Sequence, residues 1–254
     1  MRIARFTVDN DLHFGIVEGE EGAETLRVIA GDPFYSGIEP TGATYPLEQV
    51  RLLSPMIPRS KVIGTIANWA GTEAPASPQF FIKPNTTVIG PGDPVTLPEY
   101  SESVSPEGEL AVIIGRIAKS VPLERVHEVI FGYTIANDLT ARDMLETDVQ
   151  WTRAKCFDGS TPLGPWIETE LDTDSLNITT WVDGDTVQEG NTADMHYSVA
   201  ELVSAASEIF TLLPGDVLLT GSAPGATVLR DGQEIEIEIE GIGSLITRVR
   251  DEAN

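Results

Sequence analysis

The chain of 254 residues holds a single cysteine, Cys156, so no disulfide can close within it and no cysteine-rich metal site can be built. With a lysine beside it but no histidine near it in sequence, Cys156 reads as a packed thiol. Histidine is nearly as scarce. His13, His127 and His196 stand far apart, none of them beside the acidic motifs described below, and each reads as structural or exposed. Lysine occurs only at Lys61, Lys83, Lys119 and Lys155, and 16 basic residues face 40 acidic ones for a net charge of −24. Such a field repels phosphate backbones and anionic lipid, which excludes nucleic acid and membrane surfaces as partners. No apolar run nears the ~18 residues of a membrane-spanning helix. The opening Met1-Arg2-Ile3-Ala4-Arg5-Phe6-Thr7-Val8-Asp9 reads as a strand rather than a signal peptide, so a cytoplasmic location is expected.

What is present is a chain long enough for a full core, 41% hydrophobic and 7% aromatic. Residues 1–58 read as a small N-terminal β module: strands over Arg2–Val8, Phe14–Glu18 and Leu26–Ile29, a loop over Asp32–Gly37, then the Pro-punctuated joint Ser54-Pro55-Met56-Ile57-Pro58. Residues 59–254 read as the main domain. Its expected strands are Phe80–Ile82, Val95–Leu97, Leu110–Ile114, Tyr133–Ala136, Ile178–Val182, Val217–Thr220, Glu234–Ile239 and Gly243–Val249. Helices are expected over Pro122–Ile130, over Thr140–Trp151 behind an Asp N-cap, and over Ser198–Phe210. Many strands with few helices predict a β-rich mixed α/β architecture, not alternating βαβ units.

The informative pattern is acidic. Glu107-Gly108-Glu109 runs directly into the apolar Leu110–Ile114, and residues two apart on a strand share a face, so both carboxylates can aim at one point. Asp138 ends another apolar stretch and can supply a third oxygen there. Oxygen-only ligands favour Mg²⁺, Mn²⁺ or Ca²⁺ over zinc. The same Glu-x-Glu spacing recurs in Glu234–Glu240, where it reads as the solvated face of a half-buried strand. The company of the first pair sets it apart: a second strand ending in Asn137-Asp138, then Arg142 and Lys155.

In order, E-x-E-L, N-D-x-T-A-R-D, Q-W-x-x-A-K-x-F-D, P-L-G-P-W and L-x-P-G-D-V-x-x-T-G resemble the fumarylacetoacetate hydrolase superfamily from about Ser60 to the C-terminus. The resemblance implies that superfamily's β fold, an Mg²⁺ or Mn²⁺ ion on Glu107, Glu109 and Asp138, and 2-oxo or enol carboxylate substrates. It implies a catalytic Lys155 that transfers a proton or stabilises an enolate, and substrate contacts from Arg142, Lys83 and Ser222. Read from the residues alone, Arg142 has a structural alternative, an ion pair with Asp143 or Asp158. A homodimer is expected, as in other members.

The sequence departs from the hydrolytic members where they carry a lid His–Glu pair that activates water. Here Asn68-Trp69 is followed by a shorter segment without histidine, leaving Glu73 as a lone candidate base. Leu145 replaces a common Gln, and Ser222 stands where Thr is usual. A positioned base contributes roughly 10²–10⁴-fold in rate, so its loss weakens C–C bond hydrolysis more than enolate chemistry. The leading expectation is an isomerase or decarboxylase similar to 2-hydroxyhepta-2,4-diene-1,7-dioate isomerases. The alternatives are an acylpyruvate or fumarylacetoacetate-type hydrolase using Glu73, and a binder of metal and acid with little turnover.

Overall fold

The computed structural model describes residues 1–20 and 22–251. Among them the strands form sheets of twelve, five and two members. The twelve-stranded sheet is organised around Gly108–Ile114, buried at every position and paired antiparallel to both Ile130–Asn137 and Val217–Leu219. A strand covered on both faces has no solvated side to show, which is why Leu110–Ile114 is an unbroken apolar run.

Thr161–Glu168 is just as buried and lies between Ile130–Asn137 and Arg2–Val8. It is absent from the sequence reading because Pro162 and Pro165 argue against a central strand. Its ladder to Ile130–Asn137 shifts register between Tyr133 and Ile135, which accommodates them. Through Arg2↔Glu168 and Ile3↔Ile167 the N-terminal strands join this same sheet, and Phe34 meets Phe131 with ring centroids 4.4 Å apart. The small N-terminal domain thus extends the large sheet.

The second sheet orders Asp185–Asn191, Asn177–Val182, Glu234–Ile239, Gly243–Asp251 and Pro94–Leu97. It turns Ile235, Ile237 and Ile239 inward, none more than 1% exposed. It presses on the first sheet at Gly108, where an added Cβ would sit 2.3 Å from Thr180 Oγ1 and 3.0 Å from Ile237 Cγ2.

The helices are shorter than expected. Val199–Ile209 forms with a capping box between Ser198 and Glu201, and buries Val199, Leu202, Val203 and Ala206. Leu123–Glu128 is only a 3₁₀ helix, and Asp32 caps a four-residue helix, Pro33–Ser36, where a loop was expected. The expected helix from Thr140 to Trp151 is corrected: Thr140–Ala141 pairs with Val104–Ser105 as a strand, and two short helices follow at Arg142–Thr147 and Thr152–Lys155. Asp138 does not cap them. The N-cap of the first is Ala141, which makes no side-chain capping bond. Among the described residues no helix is long and apolar enough to cross a membrane.

Candidate metal and substrate site

Antiparallel pairing of Gly108–Ile114 with Ile130–Asn137 sets Gly108 opposite Asn137, which brings Glu107 level with Asp138. This end of the pair is fixed by the Asp138 N–H donating to Glu107 O (2.9 Å) and the Glu107 N–H donating to Asn137 Oδ1 (3.0 Å). Glu109 lies two residues on, on the same face. One carboxylate oxygen from each of Glu107, Glu109 and Asp138 lies within 4.8 Å of the others. All three are buried, at 8%, 2% and 1% exposure.

Cations close around them. Lys155, presented by its short helix, donates to Glu107 Oε2 at 2.7 Å and to Asp138 Oδ2 at 2.5 Å, with its Nζ 5.0 Å from the Phe81 ring centre. Lys83 is wholly buried, pairs with the other Asp138 oxygen and donates to Ser160 O at 2.8 Å. Arg142 pairs with Glu107 Oε1 at 2.7 Å and donates from Nε to Ser105 Oγ at 2.7 Å. Neither alternative pairing, with Asp143 or with Asp158, forms among the described residues: Arg142 goes to Glu107, and Asp143 accepts from Ser101.

Burial alone would lower Lys155, but Asp138 and Glu107 outweigh it and hold the ammonium above its ordinary value. Burial does lower Lys83, against the pull of Asp138. Asp138 resists its own burial because Lys155 and Lys83 keep it ionised, below the usual carboxylate range. Glu109 is the odd one out. Burial, then Asp138 and Glu107, push it well above that range, and its one hydrogen bond among the described residues comes from the Gly221 N–H at 2.6 Å.

A half-open cavity of about 480 Å³ lies over this group. Glu107, Glu109, Arg142 and Lys155 form its charged wall, Ser222 and Thr72 offer hydroxyls, and Trp69, Phe81, Leu145 and Trp151 are its large apolar members. Glu73 is exposed and does not line the cavity. Lys83 does not line it either; it sits among buried groups as a partner of Asp138, a placement sequence spacing does not reveal. Among the described residues no histidine lines this cavity: His13 stacks near Phe6 and Tyr45, while His127 and His196 line a different one and His196 meets the Thr72 carbonyl. The Cys156 thiol, raised by burial, rests on Ile82 O.

The donor set fits a hard divalent cation. Three converging carboxylates, without sulfur or imidazole, match the oxygen preference of Mg²⁺ or Mn²⁺. A buried Glu109 with a single hydrogen bond is a carboxylate whose charge asks for a cation. Glu107, Glu109 and Asp138 are the residues that would hold it.

A β-rich fold whose cavity wall carries Glu107, Glu109 and Lys155, with Asp138 buried beside them, describes a class of pocket proteins with a carboxylate centre. The chain belongs within it to the fumarylacetoacetate hydrolase family: the family model for the fumarylacetoacetate (FAA) hydrolase C-terminal region matches residues 62–250, and the Rv2993c-like N-terminal model matches residues 1–55. It is 42% identical to the 5-carboxymethyl-2-hydroxymuconate delta-isomerase of Mycobacterium smegmatis, with a TM-score of 0.95 over 99% of this chain and 100% of that one. The mitochondrial oxaloacetate tautomerase Fahd2a of Rattus norvegicus is 35% identical, over 80% of this chain and 71% of the relative. The maleylpyruvate hydrolase of Sphingobium sp. SYK-6, solved with manganese (II) ion and pyruvate, is 30% identical at a TM-score of 0.82, over 99% of each chain. These likenesses support an enzyme of the family.

Proposed function

We propose that this chain is a Mg²⁺- or Mn²⁺-dependent enzyme acting on 2-oxo or 2-hydroxy-enoic carboxylates and dicarboxylates through their enolates, as an isomerase, tautomerase or decarboxylase. One observation carries the reading: a buried Lys155 faces the cavity from within the carboxylate group, while Glu73, the lone candidate base of the shortened lid, lies outside it. The isomerase and tautomerase names of the relatives point the same way.

When bound, the cation would draw electron density from the substrate's oxo oxygen and so acidify the neighbouring carbon. The residues of the chain do the rest. Lys155 holds a proton at Nζ and offers positive charge where an enolate oxygen develops. Arg142, 37% exposed at the cavity wall, is the cation available to a substrate carboxylate. Lys83 keeps Asp138 ionised and oriented from below, a positioning part. Trp69, Phe81 and Trp151 give the cavity an apolar wall, beside which charged groups interact more strongly than in water.

Proton NMR in deuterated buffer tests this in one tube. With Mg²⁺ present, the C3 protons of a 2-oxo acid should exchange faster than an acylpyruvate C–C bond is cleaved. Cleavage outrunning exchange, and falling sharply in Glu73→Gln, would establish the hydrolase instead. Metal and acid binding without exchange or cleavage would leave a binding protein. The reading includes a homodimer, checked by a light-scattering mass near twice the 27.4 kDa chain.

A further inference from the structure

Five buried side-chain polar atoms lack a hydrogen-bond partner among the described residues: Arg27 Nε, Trp69 Nε1, Asn137 Nδ2, Trp166 Nε1 and Thr180 Oγ1. Only Trp69 belongs to a residue that lines the cavity. A buried N–H without an acceptor costs roughly 1–3 kcal/mol, so one retained in a pocket wall calls for an explanation.

The indole is held in one orientation. Gly190 and Gly221 flank it: a Cβ at Gly190 would meet Cζ3 at 2.7 Å, while one at Gly221 would meet Cδ1 at 3.2 Å and Nε1 at 3.5 Å. The benzo edge therefore faces Gly190, and the N–H edge faces Gly221, which lines the cavity and bonds Glu109. The backbone is fixed as well. Trp69 bridges to Met195, the Ala70 N–H donates to Asp194 O, and the His196 N–H donates to Asn68 O. Tyr197 Oη donates to Pro75 O at 2.5 Å and ties down the far end of the same loop.

The other neutral donors on this wall are largely spent. Thr65 Oγ1 donates to Leu219 O, Thr72 Oγ1 to Trp69 O, and the Asn68 amide to Tyr197 O and Thr220 O. Among neutral side-chain donors, the Trp69 N–H and the Ser222 hydroxyl beside Gly221 are what the wall has left to give.

We propose that the Trp69 indole N–H is a substrate-binding donor, taking a carboxylate oxygen of a 2-oxo acid whose oxo oxygen lies at the Glu107, Glu109 and Asp138 group. This rests on the function proposed above. It makes Trp69 a specificity residue: an acid oxygen satisfies the indole, whereas an apolar group in that place would leave it orphaned.

The test is calorimetric titration of pyruvate into the Mg²⁺-loaded full chain, wild type against Trp69→Phe, which removes the N–H and keeps an aromatic ring. Pyruvate should bind about 10- to 100-fold more weakly to the variant, the range for losing a hydrogen bond to a charged group, with Mg²⁺ affinity unchanged. In the wild type, the indole N–H resonance of Trp69 should move downfield as pyruvate is added, a readout that decides the matter even if the variant fails to fold. Equal pyruvate affinity in the two proteins, or an unmoved Trp69 resonance at saturation, overturns the inference alone. A wild type that binds Mg²⁺ but no pyruvate overturns the functional reading and this inference with it.

Discussion

Two stretches of this chain share one acidic spacing and meet opposite fates. Glu107 and Glu109 flank a glycine and are buried at 8% and 2% exposure, whereas Glu234, Glu236, Glu238 and Glu240 alternate with isoleucine and lie on a half-buried to exposed face. The residue in between decides. Gly108 leaves room for Thr180 and Ile237 to press against the first strand, so its glutamate face is turned to the cavity floor. In the second strand Ile235, Ile237 and Ile239 fill the core, which leaves the glutamates to water. The two motifs touch, and the isoleucine face of one fits the glycine gap of the other. Glu-x-Glu is thus a statement about which face of a strand is acidic, and the packing of the other face determines what that acid can do.

The difference can be broken at either end. The largest effect is expected at Glu109. Disturbing a ligand's outer partner already lowers metal affinity about 10–100-fold, so Glu109→Ala should abolish Mg²⁺ binding in calorimetry. Undiminished binding would show that the buried pair is not a metal site. Next comes the contact between the motifs: Ile237→Ala should destabilise the fold by about 2–5 kcal/mol in urea unfolding, the range for emptying a tightly packed core site. A shift under 1 kcal/mol would mean the second sheet does not press on Gly108 as described.

A smaller loss is expected where the gap is closed. In Gly108→Ala the new methyl must displace Thr180 Oγ1 from 2.3 Å, an overpacking worth about 1–3 kcal/mol. Because Thr180 Oγ1 has no hydrogen-bond partner to lose, adding Thr180→Ala should recover part of that cost. Strict additivity of the two changes would place the strain elsewhere.

How far the sequence reveals this site follows from the range of each interaction. The convergence of Glu107, Glu109 and Asp138 was legible because strand parity and an apolar run are local signals, and the β-rich class followed from the same signals. Thr161–Glu168 was not legible, since its prolines are tolerated only through a register shift that no local pattern announces. The partners of Arg142 depended on a strand pairing, Thr140–Ala141 with Val104–Ser105, that displaced the expected helix. Lys83 meets Asp138 across 55 positions, and the bonds from Asp194–Tyr197 that hold the Trp69 loop span more than 120, distances at which spacing carries no information.

The smallest expected effect sits on the solvated strand and tests the comparison from its quiet side. Glu238 is exposed and directly opposes Thr179 and Ser244 on its neighbours, with no ion pair among the described residues. Its carboxylate keeps its water in the folded state, so Glu238→Gln removes neither a buried partner nor packing, and surface changes of this kind stay within about ±0.5 kcal/mol. The sign should nevertheless be readable. The chain carries a net charge of −24 and Glu238 stands in line with Glu236 and Glu240, so loss of one negative charge relieves repulsion. Glu238→Gln should therefore be slightly stabilising at low salt. At 0.1 M salt, where the screening length is about 10 Å, the gain should shrink toward zero. Thermal unfolding at two salt concentrations measures both. A loss of more than about 1 kcal/mol that salt does not alter would mean that Glu238 has a buried partner after all, and that the two acidic strands differ less than their packing indicates.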